Sequence, residues 1–289
     1  MINDGILIVN KEKGMTSRDV VNIISGIFHT KKVGHCGTLD PMATGVLIIC
    51  IGKYTKLVEI LTGYEKIYEF EACLGIETDT LDIEGKVLEE ENCILDNKKI
   101  DEAIEKFPKS YMQKVPIYSA VRIDGKKLYE YARNGEEVVI PERNVHIYNL
   151  KRTSDVKIID DHTFFKGEIK VSKGTFIRSF VRDFAYSLNA IGMMNGLTRI
   201  KQGNFSIENS YTIDDIKQGN YKFIDIKEAL NSYPIYKLNE KEASIIKNGA
   251  LIDKKYKEEK VVFEFDDQIL AIYQDYEKDN TKMKPWKMF

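Results

Sequence analysis

The chain has 289 residues, of which 43% are apolar and 30% charged, and a formal net charge of -2. That is enough for one large domain plus a small one with an ample core, and it excludes a low-complexity or fibrous chain. No apolar run approaches the roughly 20 residues that span a bilayer. The N-terminus, MINDGILIVNKEKG, lacks a signal peptide's basic start and long apolar stretch. A cytoplasmic protein with no membrane association is the expectation.

Cys36, Cys50, Cys73 and Cys93 are scattered without a CxxC pair, and His29, His35, His146 and His162 show no ligand spacing. Neither a disulfide framework nor a metal site is expected. The net charge taken globally argues mildly against nucleic acid, but its distribution matters more than its sum. Lys11, Lys13, Arg18, Lys31 and Lys32 precede residue 40, and Lys173, Arg178, Arg182, Arg199 and Lys201 cluster later. Acids concentrate from Glu77 to Glu105, Glu89-Glu90-Glu91 included. Each set alone is ordinarily a solvated face. Their segregation allows a basic face for phosphates with an acidic region turned away.

Taken in order, Gly5 to Val9 is a short apolar strand followed by a turn over residues 10–14. Thr16 with Asp19 three residues on forms a helix cap, and Val20, Ile23, Ile24 and Ile27 recur at helical spacing. Residues 34 to 47, GHCGTLDPMATGVL, are a loop feeding a buried strand from Val46 to Ile51. Pro41 restricts Asp40 to extended or turn geometry, so Asp40 is held stiffly at a loop tip. Read locally, such an aspartate is a turn-former bonded to nearby amides. Lys53 to Leu61 suggests a short helix, and Lys66 to Leu74 alternates as a strand with Tyr68, Phe70, Ala72 and Leu74 on one face. After the acidic loop Gly75 to Gly85 comes a helix carrying Ile100, Ala103, Ile104 and Phe107. Asp124-Gly125 marks a hairpin turn before a short helix stopped by Gly135.

Residues 143 to 171 are strands, after which Ser172 to Thr175 turns into a helix with a buried stripe of Ile177, Phe180, Val181, Phe184 and Leu188. Arg178 and Arg182 lie one turn apart on another face of it. Connecting helices run from Tyr211 to Asn231, and a domain boundary falls near Ser232-Tyr233-Pro234. Beyond it come a short helix ending at Asn248-Gly249, the hairpin VVFEFDDQILAIY and a basic tail from Lys282 to Lys287.

GHCGTLDPMATGVL closely resembles the catalytic motif of the TruB family of tRNA pseudouridine synthases, and further stretches extend the resemblance over nearly the whole chain. Lys11, Gly14, Thr16 and Ser17 match the opening KPxGxTS, with Glu12 where the family usually has proline. KIYEFEACLGIETDTLDIEG is similar to the second motif. QKVPIYSAVRIDGKKLYEYAR is similar to QxPPxYSAxKxxGxxLYxxAR, with Val115 and Arg122 replacing a proline and a lysine. KGTFIRSFVRDFA resembles GTYIRxLxxDLG, with Phe176 in place of tyrosine, and Gly196-Leu197-Thr198-Arg199 resembles the strand that closes the family's pocket.

The resemblance implies isomerisation of uridine 55, in the T loop of elongator tRNAs, to pseudouridine, with no cofactor. It makes Asp40 the catalytic nucleophile, Arg178 its ion-pair partner, Tyr68 the wall against which the uracil packs and His35 a residue that helps take the base out of the RNA fold. An unstacked base is physically required, and an aromatic face holds a ring while leaving it free to turn. A guanidinium beside a carboxylate balances and orients it. Leu197 becomes a nonpolar neighbour of the base. Lys11, Lys32, Lys126, Arg182 and Arg199 are candidate RNA contacts.

The expected fold is α+β. It has a pseudouridine synthase domain over residues 1–232, with a mixed central β-sheet flanked by helices and loops, and a small β-rich, PUA-like RNA-binding domain over residues 233–289. Partners are the tRNA T stem-loop and no guide RNA, with a monomer as the default. Whether Asp40 attacks C1′ or takes a proton from C2′ stays open, because both need the same carboxylate. Two rivals remain. One is a tRNA-folding chaperone, for which Asp40→Asn would be silent. The other is an aspartate-based hydrolase, which would need a second carboxylate or a metal.

Overall fold

A computed structural model describes residues 4–289. The strand Gly5–Lys11 is apolar on both faces because both are covered: Leu7 and Val9 enter one core cluster, Ile6 and Ile8 another. It pairs antiparallel with Thr44–Ile51, whose Leu47 and Ile49 face one way and Val46, Ile48 and Cys50 the other. Continuous apolar runs of this kind belong to strands packed on two sides.

Among the described residues these strands lie in a ten-stranded sheet. Its main path runs Gly5–Lys11, Thr44–Ile51, Gly192–Gln202, Lys66–Leu74, His162–Val171, Glu142–Arg152, Ser110–Lys114. Pairing along that path is antiparallel except at one seam, where Thr44–Ile51 runs parallel to Gly192–Gln202 with Thr198 opposite Thr44 and Arg199 opposite Gly45. The sheet is therefore mixed, as expected. At the seam Gly45 has φ of 98°. A Cβ there would fall on the Arg199 carbonyl oxygen, so only glycine lets the two backbones meet.

Helices Ser17–Ile27 and Ile177–Ser187 cover one face through Val20, Ile24, Phe180 and Phe184. Phe180 meets Phe70 of the sheet edge-on at 5.4 Å. The first helix starts where the sequence places it: Thr16 and Asp19 form a reciprocal capping box. The Asp124-Gly125 turn joins two short paired strands, with both residues at positive φ, the geometry of a tight hairpin.

A second sheet of five strands is built from residues 235–288, in the order Ile235–Lys237, Lys260–Phe265, Gln268–Tyr276, Asp279–Met288, Ile252–Asp253. One face packs on its own helix Glu240–Lys247 through Ala243 and Ile246. The other places Val262, Ile269 and Ile272 in the same cluster as Ile6, Ile8 and Ile48 of the large sheet. The basic stretch from Lys282 to Lys287 is thus part of a strand rather than a tail. Its lysines are neutralised in place, Lys282 by Asp253, Lys284 by Glu277 and Lys287 by Glu59.

Candidate active site

The loop from Cys36 to Ala43 joins the strand Val33–His35 to the strand Thr44–Ile51, and its carbonyls are held from below by buried side chains. Ser17 accepts from the Leu39 amide at 2.9 Å and lies 3.2 Å from its carbonyl oxygen. The Lys11 ammonium donates to the carbonyls of Glu12, Met15 and Pro41 at 2.9, 2.6 and 3.3 Å. Arg199 donates to Val46 at 2.6 Å and to Gly37 at 3.1 Å, and Gln202 donates to Cys36 at 2.8 Å. Asp40 is consequently fixed at the tip, with its side chain one-third exposed.

Arg178 projects from the first turn of the helix Ile177–Ser187 and is only 4% exposed. Its Nε lies 2.9 Å from Asp40 Oδ2, and its Nη2 donates to Asp40 Oδ1 at 3.2 Å and to the Tyr118 carbonyl at 2.9 Å. Its Nη1 donates to the Thr80 carbonyl at 2.8 Å and stands 3.5 Å from Asp82 Oδ2. Nearly the whole guanidinium fork is thus engaged, which holds the carboxylate in one orientation.

The pair opens onto a cleft of about 750 Å³, a volume within the range of small-ligand sites. Tyr68 and Leu197 line it with Asp40 and Arg178, as do Phe176 and Ser119. Tyr68 is both things the sequence allows. It belongs to the buried row with Phe70, Ala72 and Leu74, and it is the member of that row that reaches the cleft.

His35 is half-buried and does not line the cleft, although Gly37, two residues on, does. Burial lowers the His35 pKa, helped by the charges of Arg18 and Arg199, so its ring is kept neutral near neutral pH. Its Nδ1 is buried with no partner among the described residues.

Several expected RNA contacts have other duties. Lys11 is fully buried and held on backbone carbonyls beneath the Asp40 loop, out of reach of a phosphate; Arg199, 1% exposed, borders the cleft, but its guanidinium is tied to the carbonyls of Val46 and Gly37. Arg182 pairs with its neighbour Asp183 at 2.7 Å in a separate hollow lined by Glu77 and Tyr111. Lys126 is paired with Glu136. Lys32 is exposed. Arg178 does not sit on a solvated face, because the chain folds Thr80 and Tyr118 over it.

The acidic region is not wholly turned away either. Asp82 is buried, and with Asp40 it flanks Arg178, so the second carboxylate that the sequence did not reveal is present at the site. Burial raises the Asp82 pKa, outweighing the Thr80 hydroxyl, Arg178 and the Glu84 amide. It was hidden because a run of acids looks solvated. Its place in the stretch DTLDIEG, next to an apolar Leu81 that is itself buried, is the sign that marks it.

The fold, with its mixed central sheet, is that of the pseudouridine synthases. Superposition covers 99% of this chain and 84% of the matching chain in an H/ACA ribonucleoprotein bound to a substrate RNA containing 2′-deoxyuridine, with a TM-score of 0.71 at 19% identity. Against the archaeal box H/ACA Nop10–Cbf5 complex it covers 99% and 86%, with a TM-score of 0.70 at 19% identity.

The profile of the TruB family pseudouridylate synthase, N-terminal domain, matches residues 26–177. The tRNA pseudouridine synthase B of Bacillus pumilus is 37% identical over 100% of this chain and 98% of its own length. That of Caldanaerobacter subterraneus subsp. tengcongensis is 42% identical over 88% and 87%. The chain belongs to the TruB family of pseudouridylate synthases.

Proposed function

We propose that the protein isomerises a uridine of tRNA to pseudouridine, specifically uridine 55 of the T loop, without a cofactor or guide RNA. The observation that carries the reading is the Asp40–Arg178 pair at the floor of a cleft walled by Tyr68 and Leu197. In this reaction the N1–C1′ bond breaks, the uracil turns over, and a C5–C1′ bond forms. The proton lost from C5 is balanced by one gained at N1, so no redox partner and no water is consumed. One carboxylate at the ribose suffices as covalent catalyst.

Asp40 acts as the nucleophile, and Arg178 balances and aims it. Tyr68 and Leu197 hold the two faces of a ring that must rotate, a task for which apolar walls are better suited than directional bonds. His35, neutral and beside the loop, fills the stacking position that the flipped nucleotide leaves. Of the five candidate RNA contacts Lys11, Lys32, Lys126, Arg182 and Arg199, Lys32 is the exposed one and is available for phosphate. We place the catalytic domain in residues 1–232 and an accessory RNA-binding domain in residues 233–289, in a monomeric cytoplasmic enzyme.

The test is incubation of an unmodified T-arm stem-loop RNA with purified protein, with no added metal or nucleotide. Pseudouridine is then mapped by chemical adduct and primer extension. Conversion of one loop uridine by the wild type, and none by Asp40→Asn, is the expected result. Binding without conversion by the wild type would sink the proposal.

A further inference from the structure

The cleft contains a buried hydroxyl that has no hydrogen-bond partner among the described residues. Ser119 is 6% exposed and lines the cleft, and its hydroxyl is buried with no hydrogen-bond partner among the described residues. Its backbone is fully used: its amide donates to the Ile117 carbonyl at 2.9 Å, and its carbonyl accepts from Tyr129 at 3.2 Å. The preceding carbonyl, that of Tyr118, is the one that accepts from Arg178. The hydroxyl is therefore rigidly mounted next to the catalytic pair. Buried hydroxyls are almost always bonded, and one left open in a cleft marks a place where a ligand supplies the missing partner.

The other polar groups of the cleft narrow down what that partner is. Asp40 and Arg178 hold each other, Lys66 donates to the carbonyls of Thr62 and Tyr64, and Thr175 donates to Ser172. Arg143 and Lys173, which also line the cleft, are basic side chains that suit a phosphate. A neutral group that both donates and accepts suits the neutral polar edge of a base. Uracil presents carbonyl, N3–H and carbonyl along that edge. Turning the ring over about its N3–C6 axis exchanges N1 with C5 and the 2-carbonyl with the 4-carbonyl, and leaves N3–H in place. The edge is thus the same before and after the reaction, and one fixed hydroxyl serves both states.

We propose that the Ser119 hydroxyl bonds the carbonyl–imide edge of the target uracil and is a specificity-determining contact of the site. The proposal rests on the reading of the cleft as a pseudouridine synthase site. Cytosine, which has an amine where uracil has its 4-carbonyl, does not keep the same edge when turned, so the contact favours uracil on geometric grounds.

The experiment compares wild type, Ser119→Ala and Ser119→Thr on three T-arm RNAs carrying uridine, N3-methyluridine or 2′-deoxyuridine at the target. Expected is a loss of kcat/KM in Ser119→Ala of about tenfold on uridine, the worth of one neutral hydrogen bond, and recovery in Ser119→Thr. N3-methylation penalises the wild type but hardly affects Ser119→Ala, whereas the 2′-deoxy penalty is the same in both. The melting temperature of Ser119→Ala is unchanged or higher, since the free protein loses an unpartnered hydroxyl; a purely structural serine would lower it. Equal kcat/KM in wild type and Ser119→Ala would overturn the proposal, as would a 2′-deoxy penalty that disappears in Ser119→Ala. A wild type that makes no pseudouridine would overturn the reading of the cleft and this contact with it.

Discussion

Four cations lie beneath or beside Asp40 with little or no access to water: Lys11, Lys66, Arg178 and Arg199. Burial lowers both Lys11 and Lys66 from the ordinary 10.5 to about 8. For Lys11 the charge of Arg199 pushes the same way, while Asp40 opposes it. Between these two values the unfolded chain still carries the proton that the folded chain has shed. Unfolding free energy therefore rises with pH across that window and the gain is lost below it, at most about 1.4 kcal/mol per pH unit for each lysine. Lys11→Met removes one of the two contributions, so the wild type should gain stability over the variant as pH is raised from 8. Urea midpoints measured across the window check this, and parallel curves would refute it. None of this was legible in the residues alone. Lys11 and Arg199 look like surface cations in any local window, and only the return of the 192–202 strand against the loop shows that they are internal struts. Asp40 and Arg178, in contrast, stood out because their motifs are long and each residue's neighbours constrain it.

The start of the first helix was readable because a cap is a contact between residues three apart, Thr16 with Asp19; Thr212 with Asp215 is built in the same way. The alternation from Lys66 to Leu74 and the turn at Asp124-Gly125 were readable for the same reason. The parallel seam was not, since Thr44 and Thr198 share no local pattern; their hydroxyls meet at 2.9 Å only in the folded sheet. Gly45 is the residue on which that seam depends. Gly45→Ala places a methyl group against the Arg199 carbonyl while forcing a side chain into positive φ. A loss of about 3 kcal/mol or more in unfolding free energy is expected from the two effects together. Chemical denaturation measures it, and a loss below about 1 kcal/mol would show that the seam relaxes.

The second sheet could in principle be a loosely tethered unit, but its inner face shares a core with the large sheet through Val262, Ile269 and Ile272. Trp286, the single tryptophan, packs against that shared cluster. Its fluorescence should therefore follow the same denaturation curve as the far-ultraviolet signal of the whole chain, a single cooperative transition. A Trp286 transition that precedes the other would mean that the second sheet opens by itself. A boundary near Ser232-Tyr233-Pro234 can be expected from the sequence, but an interface cannot, because strands buried on both faces look alike whatever covers them. The seam has one more consequence, which concerns synthesis. The strand Gly192–Gln202 lies between Thr44–Ile51 and Lys66–Leu74, two strands made long before it. As the chain leaves the ribosome, those earlier strands have open edges toward each other and no Leu197 wall. The cleft closes only when residue 202 is out, so a nascent or truncated chain ending earlier has Asp40 but no pocket around it, and it is exposed to faulty strand pairing until the late strand inserts.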